Sequence, residues 1–234
     1  MKIIRRIFSK ICHSLLIGLA KFFPIKGHIL MLHWIEDTNI VGDANQYRIP
    51  ISQFKKLLIY LRSKNTIVLY NWEKENNFYA LTIDDVPECF YYSAFPLLKE
   101  FQIPFTLFVN TSLLDQNGYI TKDQLVEMSQ SDLCTIGSHG VNHCEYSALN
   151  RRQLNREFSK SKTILESITE KEVNLFAFPY GSYYACGFFN KGLVLCEYKY
   201  AFGTVSCPIT KPLLIGKRFL PRINVDNSYI NSLK

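Results

Sequence analysis

The chain has 234 residues, of which 47% are hydrophobic and 14% aromatic. That is enough to bury a substantial core, and it excludes a disordered or low-complexity chain. The net charge of +7 is lopsided: Lys2, Arg5, Arg6, Lys10, Lys21 and Lys26 precede the first acid, Glu36, so the remainder is near neutral and offers no basic face for nucleic acid.

Residues 2–23 place Ile3, Ile4, Ile7, Phe8, Ile11, Leu15, Leu16, Leu19, Phe22 and Phe23 at helical spacing, with Lys2, Arg5, Arg6, Lys10, His13 and Lys21 opposite. Ten residues separate Lys10 from Lys21, about half a bilayer span. Three readings remain open: a helix lying on an anionic membrane surface, a helix packed on the body of the chain, and an export leader with small residues at Gly18-Leu19-Ala20. The division expected is a basic amphipathic segment, 1–26, and one catalytic body, 27–234. Seven cysteines form no C-x-x-C pair and are odd in number, which suggests reduced thiols.

After Gly27, strand and helix patterns alternate. Strands are expected at His28–Leu32, Thr66–Tyr70, Tyr79–Ile83, Phe105–Val109, Cys134–Ile136, Leu175–Phe178, Tyr200–Val205 and Lys217–Leu220. Helices are expected at Ser52–Ser63 with Ser52 as N-cap, and at Tyr92–Phe101 with an early interruption at Pro96. Two more are expected at Thr121–Ser129 and Asn150–Ile168, each opening on a capping-box pattern. Such alternation predicts an α/β fold whose parallel sheet closes into a barrel.

In such folds, chemistry gathers at the carboxyl ends of the strands. His33 follows the first strand and Asp84-Asp85 the third. Gly137, Ser138, His139 and then His143 follow Cys134–Ile136, and Pro179-Tyr180-Gly181 follows Leu175–Phe178. Adjacent residues of a strand point to opposite sides, so Asp84 and Asp85 share a site only if the chain turns there; taken alone the pair also reads as a surface turn. His139 and His143, four apart, face one way on a helical turn and can reach one ion. Two imidazoles and a carboxylate, with open positions, make a hydrolytic metal site.

These residues resemble the polysaccharide deacetylase family (carbohydrate esterase family 4, the NodB-homology domain). The matching stretches are Thr82-Ile83-Asp84-Asp85, His139-Gly140-Val141-Asn142-His143 and Phe178-Pro179-Tyr180-Gly181, and Ile103–Val109 looks like the strand after the first motif. The resemblance implies a deformed (β/α) barrel and a metal-dependent hydrolase of N-acetyl groups on a polysaccharide or lipid-linked sugar. It implies Asp84 as general base, and Asp85, His139 and His143 as ligands of a divalent metal, Zn2+ or another first-row ion. It also implies substrate contact at Pro179, Tyr180 and Gly181, with the Tyr180 N–H as oxyanion donor.

Three departures stand out. Gly140 replaces a loop-bracing Ser or Thr. Ala177 stands where many members carry an arginine that tunes the base, so Arg222 or Arg218 is the substitute expected. No histidine follows His143, so the proton donor falls to His33, in the manner of members whose N-terminal strand ends in Tyr-His. The expected location is cytoplasmic and peripheral to a membrane, with export as the alternative. Two other functions are compatible with the sequence: a glycan-binding pseudoenzyme, motivated by Gly140 and Ala177, and a metal hydrolase of a different amide.

Overall fold

The structure, a computed structural model, describes residues 2–37, 47–69, 72–187, 194–211 and 217–233. The strands are β1 (Ile25–Leu32), β2 (Trp34–Ile35), β3 (Arg48–Ile49), β4 (Asn65–Thr66), β5 (Phe78–Asp84), β6 (Phe105–Val109), β7 (Cys134–Ser138), β8 (Leu175–Ala177), β9 (Tyr200–Phe202), β10 (Ile209–Thr210) and β11 (Ile223–Asn224). The helices are α1 (Lys2–Ala20), α2 (Ile51–Arg62), α3 (Phe95–Phe101), α4 (Lys122–Ser129), α5 (Arg151–Thr169), α6 (Tyr183–Cys186) and α7 (Asn227–Ser232).

β1, β5, β6, β7, β8 and β9 lie side by side in that order, all parallel, so their carboxyl ends share one rim. The sheet curls into a half-barrel. Residues 217–225 span its open side: Leu220 bridges to Phe202 of β9, and β11 runs parallel to β1. β10 adds an antiparallel edge to β1.

The period-2 alternation of the strands sorts their side chains into two cores. Leu81, Ile83, Phe105, Leu107, Ile136 and Phe176 face the surrounding helices, where they meet Phe54, Leu98, Leu154 and Phe158. Ile29, Ala80, Phe108, Leu175, Ala177 and Phe202 fill the interior of the curl. Both sets are buried, which is why these strands read as continuous apolar runs.

The capping boxes at Thr121/Gln124 and Asn150/Gln153 form as expected, and each supplies donors and acceptors to a helix start. Ser52 does not cap α2. Pro50 occupies that position, and the Asp37 carboxylate accepts the Ile51 N–H at 2.8 Å instead. The expected strand Thr66–Tyr70 shrinks to β4, and Tyr70 lies outside the described residues. The expected strand Lys217–Leu220 makes a single bridge and a few backbone hydrogen bonds to β9. Before α3, residues Phe90–Ala94 form a wider π-helical turn, and Pro96 sits in the first turn of α3, where its missing N–H costs nothing.

Helix α1 divides its apolar residues between two environments. Leu16, Ile17 and Ala20 pack with Val205 and Cys207, and Ser9 accepts the Tyr184 N–H at 3.0 Å. Ile7, Ile11, Leu15 and Phe22 are exposed, Phe22 at 83%. Among the described residues no helix is long and apolar enough to cross a membrane. The seven cysteines are free thiols.

Candidate metal and catalytic site

The interior alternation of β5 points Thr82 and Asp84 into the mouth of the curl, where Asp84 is 2% exposed. There it meets Arg222, which is fully buried. Nη1 donates to Oδ1 at 2.6 Å and Nη2 to Oδ2 at 2.7 Å. The guanidinium is itself held on several sides. It donates to Thr82 Oγ1 at 3.2 Å and to the Gly203 carbonyl at 3.0 Å, and it lies 5.1 Å above the Phe108 ring. Burial alone pushes the Asp84 carboxyl up, but Arg222 and His139 outweigh it and hold the group down at about 2. Asp84 is therefore a carboxylate throughout the physiological range.

Immediately after Asp84 the backbone turns. Asp85 (φ 60°) and Val86 (φ 49°) both adopt left-handed conformations, and the Val86 N–H reaches back to the Asp84 carbonyl at 2.7 Å. Two consecutive non-glycine residues in this region store strain of the kind that collects at functional sites. The turn brings Asp85 to the same rim as Asp84, which a continuing strand would not.

Asp85 Oδ1 lies 3.8 Å from His139 Nε2 and 3.6 Å from His143 Nε2, and the donor atoms of all three residues fall within 4.8 Å of one another. Asp85 Oδ1 is buried and has no hydrogen-bond partner. His139 Nδ1 lies 2.8 Å from the Ala177 carbonyl. A carbonyl can only accept, so Nδ1 carries the proton and the Nε2 lone pair faces the site. Burial lowers the His139 pKa; Asp84 and Asp85 oppose that, and His143 and Arg222 reinforce it. An orphaned buried carboxylate oxygen beside two imidazoles fits a small divalent cation with ligand bonds of about 2.0–2.2 Å.

The His139-x-x-x-His143 spacing does not work through a helical turn. After β7 the chain runs irregularly, with Gly140 at φ 82° and His143 at φ 45°. Their ring centroids nevertheless lie 5.2 Å apart, because the loop is folded tightly between α5 and the end of β6.

Of the remaining expected residues, His33 directly follows β1 and its Nδ1 is buried without a partner. Burial lowers its pKa, Asp84 and Asp85 raise it, and Arg222 and His143 lower it, which puts His33 within electrostatic reach of the whole site. Its ring stacks obliquely on Tyr47 at 4.9 Å. Tyr180 (φ 59°) is exposed, and its ring packs 4.8 Å from His143. Pro179 and Gly181 are buried beneath it, and a Cβ on Gly181 would strike Thr204 at 2.2 Å. Arg218 is exposed, so Arg222 alone of the two arginines meets Asp84. Sequence reasoning gave Thr82 no role of its own and missed Glu157. The first shares the interior face of β5 with Asp84, and the second is the one acid on the buried stripe of α5.

The family profile described as polysaccharide deacetylase matches residues 72–186. The poly-beta-1,6-N-acetyl-D-glucosamine N-deacetylase of Staphylococcus aureus is 25% identical over 161 residues, 59% of this chain and 56% of that one. YxkH of Bacillus subtilis, named for the same family, is 25% identical over 170 residues, 68% of this chain and 58% of that one. The chain thus spans less than two thirds of the length of these curated relatives. The Streptococcus pyogenes deacetylase PplD, solved with acetate, superimposes with a TM-score of 0.78 at 24% identity, covering 90% of this chain and 97% of that one, which establishes the fold. With the motif residues gathered on one rim of a matching half-barrel, residues 72–186 carry a polysaccharide deacetylase domain.

Proposed function

We propose that this chain is a metal-dependent hydrolase that removes N-acetyl groups from a sugar in a polysaccharide or glycolipid precursor. The observation that carries the reading is the juxtaposition of an Asp85–His139–His143 donor set with the buried, Arg222-bound Asp84 carboxylate. Asp85, His139 and His143 would hold the ion, and the mixed nitrogen and oxygen donors suit Zn2+ as well as other first-row divalent ions. When bound, such an ion supplies Lewis-acid polarisation of the acetyl carbonyl and a more acidic water.

Within this reading Asp84 accepts the proton as water attacks the acetyl carbon. Arg222 keeps Asp84 ionised and fixes the direction of both carboxylate oxygens. The Tyr180 N–H donates to the developing oxyanion. The proton taken up by Asp84 passes to the departing amine by way of His33, so that amide and water leave as amine and acetate. Acetate release from N-acetylglucosamine oligomers and from lipid-linked N-acetyl sugars tests the reading. Activity is expected to fall to background on chelation and to return with stoichiometric Zn2+. A protein that binds stoichiometric metal but hydrolyses no acetylated sugar would instead be the glycan-binding pseudoenzyme, and one that cleaves only other amides would be the second alternative.

The exposed stripe of α1 supports work at a membrane surface. Ile7, Ile11 and Leu15 face outward beside exposed Lys10, and the turn after the helix adds exposed Lys21 and Phe22. An apolar helical face rimmed by cations suits the boundary of an anionic bilayer, where each basic residue contributes about 1 kcal/mol. The chain is expected to co-sediment with phosphatidylglycerol vesicles, less so at raised salt, and Leu15→Glu is expected to abolish this. Absent or salt-insensitive binding would refute it.

A further inference from the structure

Glu157 presents a carboxylate from the inner face of α5, where it is 5% exposed and plays no part in the chemistry described above. Its neighbours on that stripe are Leu154, Phe158 and Leu165. Burying a carboxylate among such residues is costly unless donors meet it. The donors here come from the loop between the two histidines. Oε2 accepts the N–H of Val141 at 2.8 Å and of Asn142 at 3.1 Å, and the Tyr146 hydroxyl donates to it at 3.5 Å. Oε1 accepts the Asn142 side-chain amide at 2.5 Å.

The neighbouring groups complete this arrangement. The Gly140 N–H donates to Ser138 Oγ at 3.1 Å, and Ser138 Oγ donates to Ser161 Oγ at 2.8 Å, one turn along α5 from Glu157. The carbonyls of Gly140 and Val141 accept the N–H groups of Thr111 and Ser112, each at 3.1 Å. Three successive N–H groups and two carbonyls between His139 and His143 are thus fastened. A Cβ on Gly140 would lie 2.3 Å from the Tyr146 hydroxyl and 3.3 Å from Glu157 Oε2, so the space beside Gly140 is already filled.

We infer that Glu157 is a positioning residue for the metal ligands: its buried carboxylate fastens the His-x-x-x-His loop and sets the spacing of His139 and His143. The inference rests on the metal reading above. A carboxylate accepting backbone N–H groups makes charge-assisted bonds stronger than those a hydroxyl forms. The device also explains Gly140, which at φ 82° lies in a conformation side chains disfavour and faces a space that Tyr146 and Glu157 occupy.

The test uses the full chain, Zn2+ titration against a competing chelator, and amide hydrogen exchange in the metal-free protein. In Glu157→Gln the new amide faces the Asn142 amide, donor against donor. Zn2+ affinity is expected to fall about 10–100-fold, with faster exchange at the Val141 and Asn142 amides. Adding Asn142→Asp to that variant restores a donor–acceptor pair and is expected to recover both readouts, which a merely structural role would not predict. Gly140→Ser, whose side chain would collide with Tyr146, is expected to weaken Zn2+ binding. Should Glu157→Gln fail to fold, Asn142→Ala, at an exposed position, is expected to shift both readouts in the same direction by less. Unchanged affinity in Glu157→Gln, or unchanged protection of the two amides, overturns the inference. If the wild-type chain binds no divalent ion, the metal reading falls separately and the exchange data alone decide whether Glu157 holds the loop.

Discussion

Asp84→Asn is expected to reduce acetate release by about 10²–10⁴-fold, the range in which a positioned general base acts. The substitution keeps the shape of the side chain and removes its basicity. It leaves the Arg222 guanidinium, which is fully buried, without a counter-ion. Breaking one side of a buried ion pair costs about 3–5 kcal/mol. For a chain of this length, that lowers the melting temperature by about 6–20 °C. Zn2+ affinity is expected to change much less, because Asp85, His139 and His143 make up the donor set. Acetate assays, thermal unfolding and metal titration on one preparation separate these effects. Retained turnover in Asp84→Asn would remove the proposed base and the mechanism with it.

Arg222→Met has the opposite electrostatic consequence. It leaves a carboxylate 2% exposed with its main counter-ion gone, at a similar cost of about 3–5 kcal/mol. In the wild type the folded-state Asp84 pKa, about 2, lies below the ordinary value of 3.8. The associated stability is therefore present above about pH 3.8 and is lost as the pH falls toward 2. Without Arg222, burial dominates and the carboxyl pKa rises. The stability gap between variant and wild type is then widest at neutral pH and narrows as the pH falls through the raised value. The acidic limb of turnover is expected to move to higher pH for the same reason. Denaturant unfolding at several pH values, together with a pH–rate profile, checks both. A gap independent of pH would mean that Arg222 acts through packing alone.

Much of this architecture was legible in the residues. The strand Phe105–Val109 announces itself as a largely apolar run, because both of its faces are buried. The capping boxes of α4 and α5 are local hydrogen-bonding devices that need no tertiary partner. Where local pattern failed, a distant partner had intervened. Ser52 lost its expected capping role to Asp37, which lies fourteen residues before Ile51. Lys217–Leu220 has strand composition, yet only Leu220 bridges, to Phe202 of β9.

The site divides in the same way. The order of Asp84, Asp85, His139, His143 and Tyr180, each just beyond an apolar run, is set by sequence, because a parallel sheet delivers the residues after its strands to one rim. Tertiary structure decided how those residues face one another. Asp84 and Asp85 reach a common rim through two left-handed residues, a conformation that no composition encodes. Arg222 rather than Arg218 meets Asp84 because Arg222 lies in the segment spanning the open side of the half-barrel and points inward, whereas Arg218 points to solvent. The two histidines converge through a loop that a carboxylate from α5 holds in place, not through helical spacing. Sequence by itself determined which chemical groups arrive at the rim, since burial and periodicity are properties of short stretches. Their pairing, protonation and spacing depend on contacts between residues as far apart as Asp84 and Arg222, and these exist only once the sheet has curled.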